Sequence, residues 1–165
     1  MPPPRRAPRT AEVVREQHGR CALCGSILSA AVGAHVDHKV PVALRGKSEI
    51  GNYQLLCAEC NLGKSKMPGW ILAAPFLREG HSPRMKYCVL TRFHGRCCER
   101  SCLASASTTE IHAMPRVPVS RGGRIIFDNL EALCSEHADL RREKWLKEAN
   151  ARAEMTPTML RWQPA

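Results

Sequence analysis

Large aromatic side chains and long apolar runs are scarce in this sequence. Phe, Trp and Tyr together make up 5% of the 165 residues, so few large side chains are available to fill a core. No stretch approaches the roughly 18 apolar residues that a membrane-spanning helix needs, so we expect no membrane-bound protein. The first six residues are polar and rich in proline. They do not resemble an export signal, and we expect a cytoplasmic location.

Disulfide bonds are not expected either, although the sequence contains nine cysteines. An odd number cannot form a complete set of disulfides, and a reducing cytoplasm keeps thiols free. Paired cysteines in that setting favour metal binding. Because a small chain with few aromatic residues has little core to spare, bound metal is the obvious additional source of stability.

Acidic residues are fewer than basic ones. The 25 Lys and Arg residues outnumber the 15 Asp and Glu residues, which gives a formal net charge of +10. Residues 1–85 hold 12 basic and 6 acidic residues, and residues 86–165 hold 13 and 9. Because the excess is spread over both halves, it indicates a polyanionic partner such as nucleic acid.

One pattern occurs twice in the chain. Residues 52–60 align with residues 129–137 at an offset of 77, and His-Gly-Arg-Cys occurs at residues 18–21 and again at 94–97. The repeat predicts duplication of one structural unit. We expect a first unit at residues 1–67, a linker rich in Pro and Gly at 68–85, and a second unit at 86–165.

Each unit contains a set of four metal-ligating residues. Cys-x2-Cys pairs suit tetrahedral zinc, because each turn brings two sulfurs to one ion, so we expect two structural Zn²⁺ ions. The first set consists of Cys21, Cys24, Cys57 and Cys60. The second consists of Cys97, Cys102, Cys134 and His137, although Cys98 also fits the spacing. Cys88 and the cysteine left over are expected to be small buried apolar residues.

Hydrophobic periodicity predicts the same order of elements in both units: a strand, a basic loop with glycine, a strand and a helix. We expect helices at residues 11–18 and 58–66, strands at 36–42 and at 55–56 up to Cys57, and a C-terminal helix from Ser135 to about Met155. In the last helix Leu140, Trp145 and Leu146 are interleaved with charges, which indicates a packing or dimer helix.

Two further motifs lie among the first four cysteines. Asp-His-x-x-Pro occupies residues 37–41, and Asn-x-Gln-x-Leu-Cys-x-x-Cys-Asn-x-x-Lys occupies residues 52–64. In this order they resemble the zinc-containing HNH (ββα-metal) endonucleases over residues 18–66. The resemblance implies an α+β fold of two tandem small zinc-bound ββα-metal units, the second degenerate, with a C-terminal helix. It also implies a protein encoded by a bacterium or a phage.

Phosphodiester hydrolysis needs a base that takes a proton from water and a hard cation that neutralises developing charge. The resemblance implies that His38 is the base and that Asp37 and Asn61 hold Mg²⁺ or Mn²⁺. It also implies that Asn52 braces the loop and orients His38. Because adjacent strand residues point to opposite faces, we expect the strand to end or bend between Asp37 and His38. His35 is either a second ligand or a packing or phosphate-side residue.

The second unit lacks this set of residues. At the same offset, Met114, Pro115 and Ala138 replace the aspartate, the histidine and the asparagine. A shifted alignment preserves His112-x-x-Pro115, but Ile111 then replaces the acid. Neither alignment leaves oxygen ligands for a cation, so we expect a non-catalytic module for DNA binding or dimerisation.

Basic residues near the two loops are the expected DNA contacts, because arginine grips phosphates and reads guanine edges. They are Lys64 and Lys66 in the first unit and Arg116, Arg121 and Arg124 in the second. By the resemblance, Lys64 lies near the scissile phosphate.

These observations predict a metal-dependent endonuclease that acts on double-stranded DNA, and by analogy a site-specific restriction endonuclease. One catalytic site cuts one strand, so cleavage of both strands needs a homodimer or sequential nicking. A phage or homing HNH nuclease or nickase is an alternative. So is a non-catalytic, zinc-stabilised DNA-binding protein, although the intact Asp37, His38 and Asn61 argue against it.

Overall fold

Two β-hairpins, each followed by a helix, form the framework of the computed structural model, which describes residues 10–29, 33–65 and 78–155. In chain order the elements are α1 (Thr10–Glu16), β1 (Ala34–His38), β2 (Tyr53–Cys57), α2 (Ala58–Lys64), α3 (Pro83–Arg92), β3 (Ile111–Pro115), β4 (Leu130–Cys134) and α4 (Ser135–Met155). The fold is therefore mixed α and β, with small antiparallel sheets and a C-terminal helix, as predicted.

The two hairpins have the same register. Ala34 of β1 lies opposite Cys57 of β2, and Ile111 of β3 lies opposite Cys134 of β4. Each pair in the second hairpin is displaced by 77 residues from its counterpart in the first. The offset read from the sequence thus extends to the pairing of the strands.

The first strand ends earlier than the predicted residue 42. Asn52 Oδ1 accepts a hydrogen bond from Val40 N–H at 2.9 Å, and Asn52 Nδ2 donates one to Val40 O at 3.0 Å. A side chain therefore satisfies the backbone of Val40, and no partner strand is needed there. Pro41, which has no N–H, follows directly. Because of this side-chain bridge, β1 ends at His38.

The first two helices are shorter than predicted. α1 ends at Glu16, because His18 adopts a left-handed backbone conformation with φ +51°. α2 ends at Lys64, because Ser65 also has a positive φ of +51°. Lys66, one of the expected DNA contacts, lies outside the described residues.

A glycine is required at the same place in both inter-strand loops. A Cβ on Gly46 would lie 1.8 Å from Val40 O, and one on Gly123 would lie 1.9 Å from Val117 O. No side chain fits at such a distance. The loop geometry, like the strand register, is therefore shared by the two units.

One hydrophobic cluster contains residues of both units. It includes Leu56 and Leu133, both fully buried, together with cysteines of both predicted zinc sets. The backbone also links the units, because Ile111 N–H donates a hydrogen bond to Cys24 O at 2.8 Å. The two units therefore share a core.

α3 connects the units. It begins at Pro83, within the stretch predicted as a linker, and Ser82 caps it by accepting a hydrogen bond from Met85 N–H. Arg84 Nη1 donates to Gly63 O at 2.9 Å, at the carboxyl end of α2. A Cβ on Gly63 would lie 2.2 Å from Pro83 O, so the absence of a side chain lets α2 and α3 approach closely.

The C-terminal helix packs through only one of its three expected apolar residues. Trp145 contacts the shared core, whereas Leu140 and Leu146 are 54% and 64% exposed. Within the described ranges, no helix is both long enough and apolar enough to cross a membrane.

Candidate active site and metal centres

The first predicted zinc set converges in the structure. The sulfur atoms of the four buried residues Cys21, Cys24, Cys57 and Cys60 all lie within 4.8 Å of one another. Cys57 also caps α2, because its Sγ accepts a hydrogen bond from Cys60 N–H. Hydrogen bonding with Cys21 lowers the pKa of Cys24 to about 6. Four clustered cysteine sulfurs, which bind the metal as thiolates, suit tetrahedral zinc.

The second predicted set converges as well. The ligand atoms of Cys97, Cys102, Cys134 and His137 lie within 4.8 Å of one another. His137 Nδ1 lies 3.1 Å from Cys134 Sγ and 3.7 Å from Cys97 Sγ. The structure therefore places Cys97, and not Cys98, in the second cluster.

The two remaining cysteines are packing residues. Cys88 is fully buried on α3, and Cys98 is half-buried against the shared core. Burial raises the pKa of each thiol. A thiol that keeps its proton in an apolar environment is a poor ligand and nucleophile, which agrees with their predicted packing role.

Asp37 faces a buried lysine. Lys64 Nζ of α2 lies 2.6 Å from Asp37 Oδ2 of β1, and the Lys64 side chain is 1% exposed whereas that of Asp37 is 27% exposed. Asp37 Oδ2 is buried and forms no hydrogen bond within the described residues, so the contact is ionic in character. Lys64 is thus a counter-ion for the aspartate, and its ammonium group is not presented to solvent.

We expect Lys64→Met to destabilise the protein. Removing one partner of a buried ion pair leaves the other charge without compensation, and the free energy of unfolding should fall by about 3 kcal/mol. Lys86→Met is the matched control. Lys86 of α3 pairs with Glu59 of α2, but 30% and 48% of these side chains are exposed. The loss there should stay below about 1 kcal/mol.

Urea denaturation of both variants measures the difference. A double-mutant cycle of Lys64→Met with Asp37→Asn tests the pairing itself. The double variant should recover part of the stability that Lys64→Met loses. Equal stability losses in the two lysine variants would contradict a special Lys64–Asp37 pair.

His38 is held by two neighbours. Its Nε2 lies 3.1 Å from Ser48 Oγ, and its ring centroid lies 4.8 Å from that of Tyr53, its partner across the hairpin. β1 includes both Asp37 and His38, so the strand does not end between them as we expected. Instead the two side chains contact different elements: Asp37 contacts α2, and His38 contacts β2 and the inter-strand loop.

Asn52 braces the inter-strand loop. Besides its two bonds to Val40, its Nδ2 donates to Lys47 O at 2.8 Å. Asn129 makes the equivalent bonds in the second unit, to Val117 and to Arg124 O. The bonds observed for the Asn52 side chain go to backbone atoms, and the contact with the His38 ring comes from Ser48.

Asn61 is a half-buried residue of α2. It precedes Lys64 by three residues, and residues at this spacing share one helix face. The Asp37 carboxylate, whose Oδ2 is ion-paired with Lys64, and the Asn61 amide are the oxygen donors on β1 and α2. Such hard oxygen donors fit Mg²⁺ or Mn²⁺.

The corresponding position in the second unit contains a different network. Met114 and Ala138 are buried and apolar. Arg141, which occupies the position of the buried lysine, donates to Glu131 Oε2 at 2.9 Å and to Glu99 Oε1 at 3.1 Å. The acidic partners are thus engaged by an arginine, which favours a structural role for this position.

The predicted arginine contacts differ in their surroundings. Arg121 forms an ion pair with Glu148, and Arg124 forms one with Glu79 at 2.6 Å. Arg116 is exposed. A phosphate therefore has to compete with a carboxylate for two of the three arginines.

Sequence reasoning missed Ser48 and Tyr53. Counting the register back from Cys57 would have placed Tyr53 opposite the histidine, because both lie at the loop end of the hairpin. No periodic signal marks Ser48. Its position depends on the path of the loop, which Asn52 determines.

Comparisons with known proteins agree with this geometry. The family model for HNH endonuclease matches residues 21–67, which contain the first cysteine cluster, both strands of the first hairpin and α2. The match covers less than a third of the chain and ends before the second unit. No significant match was found among curated proteins or among solved structures. Residues 21–67, which include four clustered cysteines suited to zinc, are therefore similar to the HNH endonuclease family.

Proposed function

We propose that this chain is a divalent-metal-dependent DNA endonuclease, and specifically a site-specific restriction endonuclease for double-stranded DNA. The observation that carries the proposal is the location of Asp37, His38 and Asn61 within the matched HNH range. The net charge of +10 suits a polyanionic substrate. The restriction role rests on the presence of two compact metal-binding units in one short chain, which suits recognition of a defined site.

We assign each role in phosphodiester hydrolysis to a particular residue of the chain. The water oxygen forms a bond to phosphorus, and His38 takes the proton from that water. The 3′ oxygen leaves with the bonding electron pair and takes a proton from solvent. Asp37 and Asn61 would hold the cation through their side-chain oxygens, and Lys64 keeps the aspartate in position. When bound there, Mg²⁺ or Mn²⁺ neutralises charge that develops on the phosphate. Asn52 keeps the loop beside the histidine in place.

A plasmid assay tests the proposal. Supercoiled DNA should be converted to nicked or linear forms with Mg²⁺ or Mn²⁺ and should remain intact without either. A sample with Zn²⁺ as the only added cation separates the cation needed for cleavage from the zinc that stabilises the fold. Binding without cleavage under every cation would instead identify a DNA-binding protein. Sequencing of the ends tests the finer claim, because a restriction enzyme should cut at one defined sequence.

The number of catalytic sets bears on strand cleavage. One chain offers one set, so we propose that a homodimer cuts both strands. A homodimer should form linear product at low conversion without accumulating nicked plasmid. Accumulation of nicked plasmid before linear product would indicate a nickase, or a monomer that cuts in sequence.

We also propose that the arginine loop of the second unit contacts DNA. Arg116→Ala with Arg124→Ala should weaken binding, because both side chains are exposed and the Arg124–Glu79 pair is easily exchanged for a phosphate. If both contact phosphates, the salt slope of log affinity should shrink by about two. Arg121→Ala should have the smaller effect, because Glu148 already engages that guanidinium.

Fluorescence anisotropy at several salt concentrations measures the change. Loss of affinity confined to the preferred site would mean base reading, at about 1–3 kcal/mol per contact. Wild-type affinity and slope in the double variant would exclude this loop from the interface.

A further inference from the structure

We infer that Ser48 is the positioning residue that selects the tautomer of His38, so that Nε2 carries the hydrogen and Nδ1 is the nitrogen that accepts the proton from water. The inference rests on the proposed function, in which His38 is the general base. It adds a residue that no sequence motif identifies and states which ring atom acts.

The first step of the argument is the contact itself. Ser48 Oγ lies 3.1 Å from His38 Nε2, within hydrogen-bond distance. A neutral imidazole has one nitrogen with a hydrogen and one with a free lone pair. A serine hydroxyl can donate or accept, but donation to Nε2 would leave the hydrogen on Nδ1 and no lone pair free to act as the base. A hydroxyl that accepts from Nε2–H leaves the lone pair of Nδ1 available.

The second step is the orientation of the ring. Tyr53 lies 4.8 Å from the His38 ring, centroid to centroid, with the two planes tilted by 50°. The tyrosine limits rotation of the imidazole from the strand side, while Ser48 holds its Nε2 edge from the loop side. A ring held at both places presents the same nitrogen in every catalytic cycle.

The third step is what holds Ser48. Asn52 Nδ2 donates to the carbonyl oxygen of Lys47, the residue directly before Ser48, at 2.8 Å. Asn52 Oδ1 also accepts from Val40 N–H, two residues after His38. The asparagine thus fixes the loop at Val40 and at Lys47, the residue next to the serine. The resemblance implies that Asn52 orients His38, and on this assignment it does so through Ser48.

The second unit supports this assignment by contrast. In that unit Asn129 makes hydrogen bonds equivalent to those of Asn52. At the same offset, however, Pro115 stands in place of His38 and Ile125 in place of Ser48. The brace is therefore a feature of the shared fold, whereas the serine and the histidine occur together only in the unit with the catalytic set.

The experiment combines kinetics with NMR. Ser48→Ala should lower kcat about tenfold, as is usual when an orienting hydrogen bond is lost, with little change in KM. Ser48→Thr keeps the hydroxyl and should restore most of the rate. Ser107→Ala, at an exposed serine outside both inter-strand loops, is the control and should cut at the wild-type rate.

The ¹⁵N signals of His38 report the tautomer directly, in zinc-loaded protein without added Mg²⁺ at mildly alkaline pH. Wild type should show hydrogen on Nε2, and Ser48→Ala should show a mixture. Hydrogen on Nδ1 in wild type, or an unchanged kcat in Ser48→Ala, would overturn the inference. A wild-type protein that never cuts DNA would remove the proposed function instead, and the NMR result would still decide which nitrogen Ser48 holds.

Discussion

His38→Ala should abolish DNA cleavage while leaving DNA binding and zinc content near the wild-type level. The expected loss is at least about 100-fold, the scale of general-base catalysis. The side chain is half-buried, and its observed contacts are with Ser48 and Tyr53. It lies outside the shared core, so its removal should cost little stability. Single-turnover cleavage of a labelled duplex, with binding measured separately, checks both parts.

His112→Ala is the matched control for this prediction. His112 lies on β3 of the second unit, its Nε2 is 3.1 Å from Ser135 Oγ, and burial lowers its pKa. Met114 stands in the position of Asp37 in the shared register, and Ile111 directly precedes His112. Cleavage should therefore survive within a few-fold. Equal loss in both variants would mean that the second unit takes part in the chemistry, and a wild-type rate for His38→Ala would remove that residue from the mechanism.

Cys57→Ser should unfold more than the first unit. Cys57 both belongs to the first cluster and caps α2, so the change removes a zinc ligand and weakens the helix that carries Asn61 and Lys64. A structural zinc site contributes about 10 kcal/mol or more, which rivals the roughly 5–15 kcal/mol that hold a whole domain. Because the core cluster includes cysteines of both sets, the second unit should lose its support as well.

Elemental analysis and thermal unfolding measure this outcome. Wild type should contain two zinc ions per chain, and Cys57→Ser should contain fewer and lose its cooperative transition. Cys98→Ser is the matched control, because Cys98 is half-buried but lies outside both clusters. It should keep both ions and most of the stability. Retention of two ions by Cys57→Ser, or loss of one by Cys98→Ser, would contradict the ligand assignment.

The predictions from sequence were most accurate where the signal is local or periodic. Both metal-ligand sets converge as their spacing predicted, and β2 and α4 lie where apolar and capping residues indicated. The end of β1 was misplaced for a physical reason. The alternation of valines continues to residue 42, but the Asn52 side chain replaces the partner strand at Val40.

What the sequence by itself determined is therefore the order of strand, loop, strand and helix in each unit, the two ligand sets and the HNH motif, because each depends on spacing over a few residues or on a repeat within the chain. The helix α3 was not predicted. Only the tertiary structure decided that Lys64 is buried against Asp37, that Ser48 contacts His38 and that the two units share one core. These contacts join separate elements, and they depend on which face of a helix or which end of a loop meets a strand. Which side chains are buried and where a loop runs depend on how the elements pack against one another. The spacing of residues along the chain does not specify that packing.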